Sequence, residues 1–210
     1  MQLIGMLDSP YVRRVAISLQ LLGLRFDHRS LSVFRAFDQF RAINPVVKAP
    51  TLVCDDGTVL MDSTLILDYA EALAAPGSLM PRGLPERQAE LRTIGLALAA
   101  CEKSVQLYYE SLRPSEKQHE PWATRVLGQL HAAFGELEAE LAKRPQPGET
   151  RAISAAEVAT AVAWHFTQRT LPGTVDESAY PRQCALSAWA ERLPEFTAAP
   201  HGDGTVRLRS

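Results

Sequence analysis

Residues 44–63, NPVVKAPTLVCDDGTVLMDS, hold the clearest succession of turn and strand signals in the chain. Residues 49–54 and 59–61 are two short β-rich runs joined by an Asp-Gly turn, which predicts a β-hairpin. Asn44 precedes a proline, which disfavours helical backbone and ends the preceding segment there. Asp62 or Ser63 predicts the N-cap of a helix that follows the hairpin directly.

The residues before this stretch alternate between strand and helix signals. Residues 2–6 are a short apolar run typical of a strand, and Ser9-Pro10 predicts a helix with serine as N-cap and proline in the first turn. A second strand fits residues 25–30, and a short helix fits residues 36–42. The order β-α-β-α-β-β-α predicts a mixed sheet with helices packed on it. On the helix after the hairpin, the predicted core face is Leu65, Ile66, Tyr69 and Leu73.

The second part of the chain carries only helix signals. Residues 76–85 contain three prolines and two glycines, which predicts a linker. Ser154 to Glu157 form a capping box, which marks the start of an apolar helix. The polar tail after Pro200 is expected to be poorly ordered. Further helices are predicted over residues 86–112, 121–143 and 181–193.

The composition argues against several classes of protein. The 210 residues include 22 Lys and Arg against 24 Asp and Glu, and a net charge of −2 argues against strong binding to nucleic acid or to an anionic membrane. No signal peptide or membrane-spanning apolar run is evident, so we expect a cytoplasmic protein. The histidine spacing and the lack of glycine-rich phosphate loops predict neither a metal nor a nucleotide site. The cysteines are too few for a disulfide framework and are expected to be reduced and buried: Cys54, Cys101 and Cys184.

Four motifs occur in order along the chain. Residues 9–15 (SPYVRRV) open the first helix, residues 44–52 read NPVVKAPTL, Asp62-Ser63 opens the helix after the hairpin, and Ser154 begins the capping box. Together they resemble the corresponding motifs of the cytosolic glutathione S-transferase superfamily, in particular bacterial members with a serine-type N-terminal motif. The resemblance implies an α/β thioredoxin-like N-terminal domain followed by an all-α helical domain. The expected bounds are residues 1–78, a linker over 79–85, and residues 86–210.

The resemblance implies a site for glutathione, a tripeptide thiol, as co-substrate. Only about 3% of a thiol with a pKa near 8.5 is thiolate at pH 7, and lowering that pKa by about two units requires roughly 2.7 kcal/mol. Ser9 is the expected hydrogen-bond donor to the thiolate, at a helix end that also favours an anion. Tyr11 is the rival donor, and the alternative for Ser9 is helix capping alone. Relatives that exchange disulfides have cysteine at this position, so Ser9 argues against that mechanism.

The resemblance also assigns the other contacts to glutathione. Ala49, before a cis Pro50, would pair through its N–H and C=O with the cysteinyl part; the alternative is an ordinary proline at an edge strand. Ser63 and the free N–H groups of its helix would bind the γ-glutamyl carboxylate, and Asp62 of either subunit the α-ammonium, unless the pair is a plain N-cap. Lys48 would bind the glycyl carboxylate or lie solvated on a loop.

Two residues depart from the superfamily pattern in the proline loop. Val47 stands where the superfamily has glycine, and a β-branched residue does not readily adopt positive φ, so this loop is expected to differ. Ala49 replaces the usual valine, which shrinks one wall of the pocket but leaves the backbone contacts. Both changes bear on the affinity for glutathione more than on the fold.

The second substrate is expected to lie against the helical domain. Four residues at helical spacing form a stripe that is first of all a core face: Val105, Tyr108, Tyr109 and Leu112. Tyr108 or Tyr109 would still line the pocket, with Arg113 at its mouth. Trp164 and Phe166 are expected in the core.

The predicted activity is attack of the glutathione thiolate on a small hydrophobic electrophile. The alternative enzyme is a glutathione-dependent isomerase or dehalogenase on the same fold. From a different class, the alternative is a non-catalytic protein-binding module, against which the joint presence of Ser9, Pro50 and Asp62-Ser63 argues. The resemblance also implies a homodimer.

Overall fold

A four-stranded mixed sheet forms in the N-terminal part of the chain. The computed structural model describes residues 1–145, 148 and 152–207. The strands are β1 (Gln2–Ile4), β2 (Asp27–Arg29), β3 (Thr51–Val53) and β4 (Val59–Met61), in the order β2-β1-β3-β4 across the sheet. Strand β1 is parallel to β2 and antiparallel to β3, and β3 pairs with β4 in the predicted hairpin. The helices between and after them are α1 (Pro10–Leu21), α2 (Phe37–Ile43) and α3 (Ser63–Ala74). The predicted order of elements is confirmed.

Helix α3 buries only one of its four predicted core residues, Ile66. Ile66 and Ala70 are buried, whereas the predicted core residues Leu65, Tyr69 and Leu73 are exposed, so this part of the prediction is wrong. The buried residues and the exposed residues each recur every four positions. The two groups are offset by one residue, so they lie on adjacent sides of the helix. The apolar surface of α3 is therefore wider than the part that the core covers.

The second part of the chain is helical, as predicted. Helix α6 begins at the predicted capping box, in which the Ser154 side chain accepts from the Glu157 N–H and the Glu157 carboxylate accepts from the Ser154 N–H at 3.0 Å. Trp164 and Phe166 are buried as expected, and the Trp164 ring packs edge-on against Phe134 with centroids 5.1 Å apart. The helices are α4 (Leu84–Ser111), α5 (Glu120–Ala142), α6 (Ala155–Thr170), α7 (Pro181–Ala190) and α8 (Pro194–Ala198). None of the described helices combines the length and apolar character needed to cross a bilayer.

The chain divides into two compact units, Met1–Leu79 with Arg192–Ser210, and Met80–Glu191. The expected bounds instead place all of residues 86–210 in the helical domain. The difference arises because α8 and the segment after it pack on the thioredoxin-like unit: the Arg13 Nε donates to the Ala199 C=O at 2.8 Å.

The expectation of a poorly ordered tail is wrong for residues 201–207. The Ser30 hydroxyl donates to the Asp203 C=O at 2.7 Å, and the Arg207 N–H donates to the Ala198 C=O at 2.8 Å. Tail backbone groups thus have partners far away in the sequence, which local composition does not reveal. Residues 208–210 lie outside the described residues.

Candidate functional site

Ser9 is the N-cap of α1. Its Oγ accepts a hydrogen bond from the Val12 N–H at 3.4 Å, which uses an oxygen lone pair and not the hydroxyl hydrogen. The Ser9 side chain is half-buried. It is therefore able to cap α1 and to donate to a ligand at the same time. Tyr11, the rival donor, lies half-buried in the first turn of the same helix.

Asp62 is the N-cap of α3 and lies beside Lys48. One carboxylate oxygen of Asp62 accepts from the Thr64 N–H at 2.9 Å, and the other lies 3.7 Å from the Lys48 Nζ. Both side chains of this ion pair are about half exposed, so the pair itself contributes little to stability. The geometry brings one anionic and one cationic group to the start of α3.

A buried arginine lies behind the next residue, Ser63. The Ser63 Oγ accepts a hydrogen bond from the Arg14 Nη1 at 3.2 Å, and the same Nη1 lies 3.4 Å from the Thr64 Oγ1. Ser63 is 3% exposed and Arg14 is 4% exposed. A guanidinium adds positive charge to a helix N-terminus, where the free N–H groups already favour an anion. Because Arg14 donates to the Ser63 Oγ, the Ser63 hydroxyl hydrogen is directed away from Arg14 and is available to an acceptor.

Arg14 is a residue of the candidate site that was not predicted from the sequence. The signal in the sequence was its position between apolar residues of α1, which indicates that Arg14 is buried. A buried arginine almost always has polar partners, so its position pointed to a polar contact inside the protein. Its neighbour Arg13 carries the same signal and has a different partner, Ala199. The sequence pattern therefore marks both arginines without distinguishing their roles.

The loop before β3 is held by Asn44 and Thr51. The buried Asn44 side chain donates to the Thr51 Oγ1 at 2.8 Å and accepts from the Val46 N–H at 3.0 Å, while the Thr51 hydroxyl donates to the Lys48 C=O at 2.7 Å. The Ala49-Pro50 peptide bond is cis, as expected. In the described part of the chain, no hydrogen bond reaches the N–H or C=O of Ala49. The backbone of Ala49 is therefore open to an extended peptide.

Gly5 brings this loop close to α1. A Cβ atom added to Gly5 would lie 2.6 Å from the Val12 Cγ2 and 3.1 Å from the Ala49 Cβ, so only glycine permits the approach. Ala49 thus lies near the first turn of α1, which Ser9 caps. Arg14 connects the same helix to Ser63. Helix α1 therefore lies next to two of the predicted segments: Ala49, through Gly5 and Val12, and Ser63, through Arg14.

Val47 keeps the positive φ that the superfamily's glycine would supply. Its φ is 53°, so this β-branched residue does adopt the left-handed backbone that was expected to be difficult for it. A β-branched residue in the left-handed region costs on the order of 1–2 kcal/mol. The neighbouring contacts of Asn44 hold the loop in place despite this cost.

The Val47→Gly variant is therefore expected to be more stable than the wild type. We expect the free energy of unfolding to rise by about 0.5–1 kcal/mol, since the relief of strain exceeds the entropy that glycine gains in the unfolded chain. Urea unfolding measures the change. The matched control is Val46→Gly, at an exposed position without positive φ, which is expected to lower stability by about 0.5–1 kcal/mol. Equal losses in the two variants would contradict the strain at Val47.

The proposed pocket residues lie in the helical unit, and the stripe that contains them is not a core face. Val105 and Tyr108 are half-buried, whereas Tyr109 and Leu112 are exposed. The face of α4 that is buried instead is lined by small residues: Ala97, Ala100, Cys101 and Ser104. The Tyr108 and Tyr109 rings are 5.9 Å apart. This stripe, with Arg113 following it, is therefore an accessible apolar surface.

The cysteines follow the prediction in two of three cases. Cys54 and Cys101 are buried, whereas Cys184 is partly exposed because it lies near the start of the short helix α7. Desolvation, followed by the nearby Glu177 carboxylate, raises the pKa of the Cys184 thiol, so it is not a reactive thiolate. Among the described residues, no group of three or more His, Cys, Asp or Glu side chains is placed to hold a metal ion.

Comparison with known proteins agrees with this arrangement. Residues 3–78 match the family model of the glutathione S-transferase N-terminal domain. A solved glutathione S-transferase from Methylobacterium radiotolerans, in complex with glutathione sulfonate, superposes with a TM-score of 0.85 over 94% of this chain and 93% of its own, at 23% identity. Residues 3–78 are thus similar to a glutathione S-transferase N-terminal domain, and the whole chain shares the fold of the solved transferase.

Two further proteins are similar to this one over most of the chain. The uncharacterized GST-like protein YibF of Escherichia coli (strain K12) is 26% identical over 82% of this chain and 86% of YibF. A glutathione transferase family member from Pseudomonas fluorescens Pf-5, solved with bound glutathione, is 28% identical and has a TM-score of 0.79, covering 94% of this chain and 97% of its own.

Proposed function

We propose that the protein is a glutathione transferase that adds the glutathione thiolate to a small hydrophobic electrophile. The observation that carries the proposal is the Ser63 hydroxyl, which Arg14 holds at the N-terminus of α3. A hydroxyl, free backbone N–H groups and a buried guanidinium are together suited to a carboxylate. In glutathione this would be the γ-glutamyl carboxylate. The net charge of −2 offers no general attraction for an anionic ligand, so local groups must supply it.

The remaining contacts to glutathione follow from the open groups around α1. The Ala49 N–H and C=O would pair with the cysteinyl part of the peptide, as one strand pairs with another. The Asp62 carboxylate oxygen that faces Lys48 would bind the α-ammonium, and Lys48 would then be free to bind the glycyl carboxylate. The ends of the tripeptide would thus be held by charges opposite to their own.

Ser9 would act on the sulfur. Its hydroxyl donates a hydrogen bond to the thiolate while the N-terminal end of α1 stabilises the negative charge. The thiol proton passes to water, the thiolate lone pair forms the bond to the electrophilic carbon, and the leaving group departs with the electron pair of its bond. The protein supplies proximity and stabilisation of the thiolate.

For the electrophile we propose the stripe on α4. Tyr108 and Tyr109 present aromatic faces and hydroxyl groups, and Arg113 follows them. The Arg113 Nη1 lies 3.6 Å from a carboxylate oxygen of Glu110, and the Arg113 side chain is 54% exposed although that of Glu110 is only 12% exposed. Such a surface suits an apolar molecule that carries a polar leaving group.

We test the proposal by titration calorimetry with glutathione and by turnover with 1-chloro-2,4-dinitrobenzene as the electrophile. A transferase is expected to bind glutathione with a Kd at or below about 1 mM and to consume one glutathione per product. An isomerase would leave glutathione unconsumed, and a dehalogenase would fail to consume glutathione with an electrophile that carries no halide, which a transferase would still convert. Failure to bind at millimolar glutathione would exclude every enzyme proposal and favour the binding module.

We propose that the partner subunit of a homodimer covers the exposed side of α3. Leu65, Tyr69 and Leu73 are exposed there, and Val59 and Met61 of β4 are exposed as well. Several large apolar side chains exposed on one helix and on the strand before it are typical of a contact between subunits. Sedimentation velocity at micromolar protein is expected to give the mass of two chains, and the mass of one chain would contradict the proposal.

A further inference from the structure

His28 on β2 connects two backbone groups that are far apart in the sequence. Its Nδ1 accepts a hydrogen bond from the Val206 N–H at 3.0 Å, and its Nε2 lies 2.8 Å from the Gly5 C=O. A backbone N–H can only donate and a carbonyl can only accept. The ring must therefore be neutral, with its proton on Nε2.

The segment that His28 holds, residues 203–207, lies beside the turn that carries Ser9. The Asp203 C=O accepts from the Ser30 hydroxyl at 2.7 Å, and the Asp203 carboxylate lies 3.9 Å from Arg35, whose Nη2 is also 3.6 Å from the Met6 Sδ. Desolvation raises the pKa of the Asp8 carboxyl, and the charge of the nearby Asp203 carboxylate raises it further.

We propose that His28 is a pH-sensitive clasp that holds residues 203–207 against β2 while its ring is neutral and releases them when it is protonated. Protonation places a hydrogen on Nδ1, so that two donors, Nδ1–H and the Val206 N–H, face each other across 3.0 Å. The hydrogen bond to Gly5 survives protonation because Nε2 remains a donor. Protonation therefore breaks the contact of His28 with the C-terminal segment and keeps its contact with Gly5.

The surroundings of His28 favour the neutral ring. Burial lowers the pKa of His28, and the hydrogen bond to the Gly5 C=O opposes this less strongly. Because the folded pKa lies below the unfolded value of about 6.5, the unfolded chain binds more protons as the pH falls through this range. The clasp is thus intact above about pH 6.5 and is lost as the pH falls. The charged groups on the same strand and on the elements packed near it are Asp8, Asp27, Arg29, Arg35, Asp203 and Arg207, and none of them contributes to the shift at His28.

Amide hydrogen exchange tests the clasp without any ligand. Between about pH 7.5 and pH 5, the protection factor of the Val206 amide is expected to fall about tenfold or more, while that of Cys54, whose N–H donates to Thr58 in the hairpin, stays constant. In His28→Gln the protection of Val206 is expected to be independent of pH. The control His131→Gln, at a half-buried histidine of α5 in the other unit, is expected to behave as the wild type.

Constant protection of Val206 across this range, or the same fall in His28→Gln, would overturn the clasp. If His28→Gln does not fold, the ¹⁵N spectrum of the wild-type imidazole decides the question. At neutral pH, His28 is expected to show the tautomer protonated on Nε2, and an Nδ1-protonated or charged ring would refute the proposal.

Discussion

Ser9→Ala is expected to lower the turnover of glutathione transfer about 100-fold at neutral pH, with a change in glutathione affinity of less than about threefold. The variant loses the hydroxyl donor to the thiolate but keeps the backbone and helix groups that would bind the peptide. The pKa of the bound thiol is therefore expected to rise by more than about one unit, so activity recovers at high pH. Steady-state kinetics over a pH series and the absorbance of the bound thiolate measure both effects.

The controls for Ser9 separate its two roles. Ser9→Ala also removes the cap of α1, which is expected to cost about 1 kcal/mol of stability, whereas Ser9→Thr retains a capping hydroxyl and is expected to keep most of the turnover. Tyr11→Phe removes the rival donor. Normal turnover in Ser9→Ala together with a large loss in Tyr11→Phe would move the thiolate contact to Tyr11.

Arg14→Met is expected to raise the Kd for glutathione about 10- to 100-fold, which corresponds to about 1.4–2.8 kcal/mol. The substitution keeps an apolar side chain in α1 but removes the donor that orients the Ser63 hydroxyl and the positive charge behind the start of α3. Titration calorimetry measures the affinity. Because Arg14 acts through Ser63, the double variant with Ser63→Ala is expected to bind only slightly more weakly than Arg14→Met alone.

The matched control for Arg14 is the adjacent Arg13. It is equally buried in α1, but its Nε donates to the Ala199 C=O and its guanidinium lies 5.6 Å from the centre of the Phe196 ring. Arg13→Met is therefore expected to lower stability while leaving glutathione affinity nearly unchanged in the folded protein. Equal losses of affinity in the two variants would show that Arg14 acts through the packing of α1 and not through Ser63.

Local signals in the sequence predicted those parts of the fold that depend on near neighbours. The Asp-Gly turn predicted the hairpin, and the spacing of Ser154 and Glu157 predicted the cap of α6. The capping role of Ser9 could be predicted for the same reason. In each case the partners lie within a few residues of one another, so a short motif contains the whole interaction.

The features that the sequence did not predict depend on partners distant in the chain. Helix α3 has two apolar faces, and only the packing of the unit shows that Ile66 is covered while Leu65 is not. Arg14 became part of the candidate site through Ser63, 49 residues away, and His28 contacts the C-terminal segment through Val206, 178 residues away. Periodicity cannot identify such pairs because it describes one element at a time.

A crystal structure with bound glutathione tests the central claim most directly. We expect the γ-glutamyl carboxylate on Ser63 at the start of α3, the cysteinyl backbone paired with Ala49, and the sulfur within about 3.5 Å of the Ser9 Oγ. A sulfur that contacts Tyr11 instead, or a carboxylate bound away from Ser63, would contradict it.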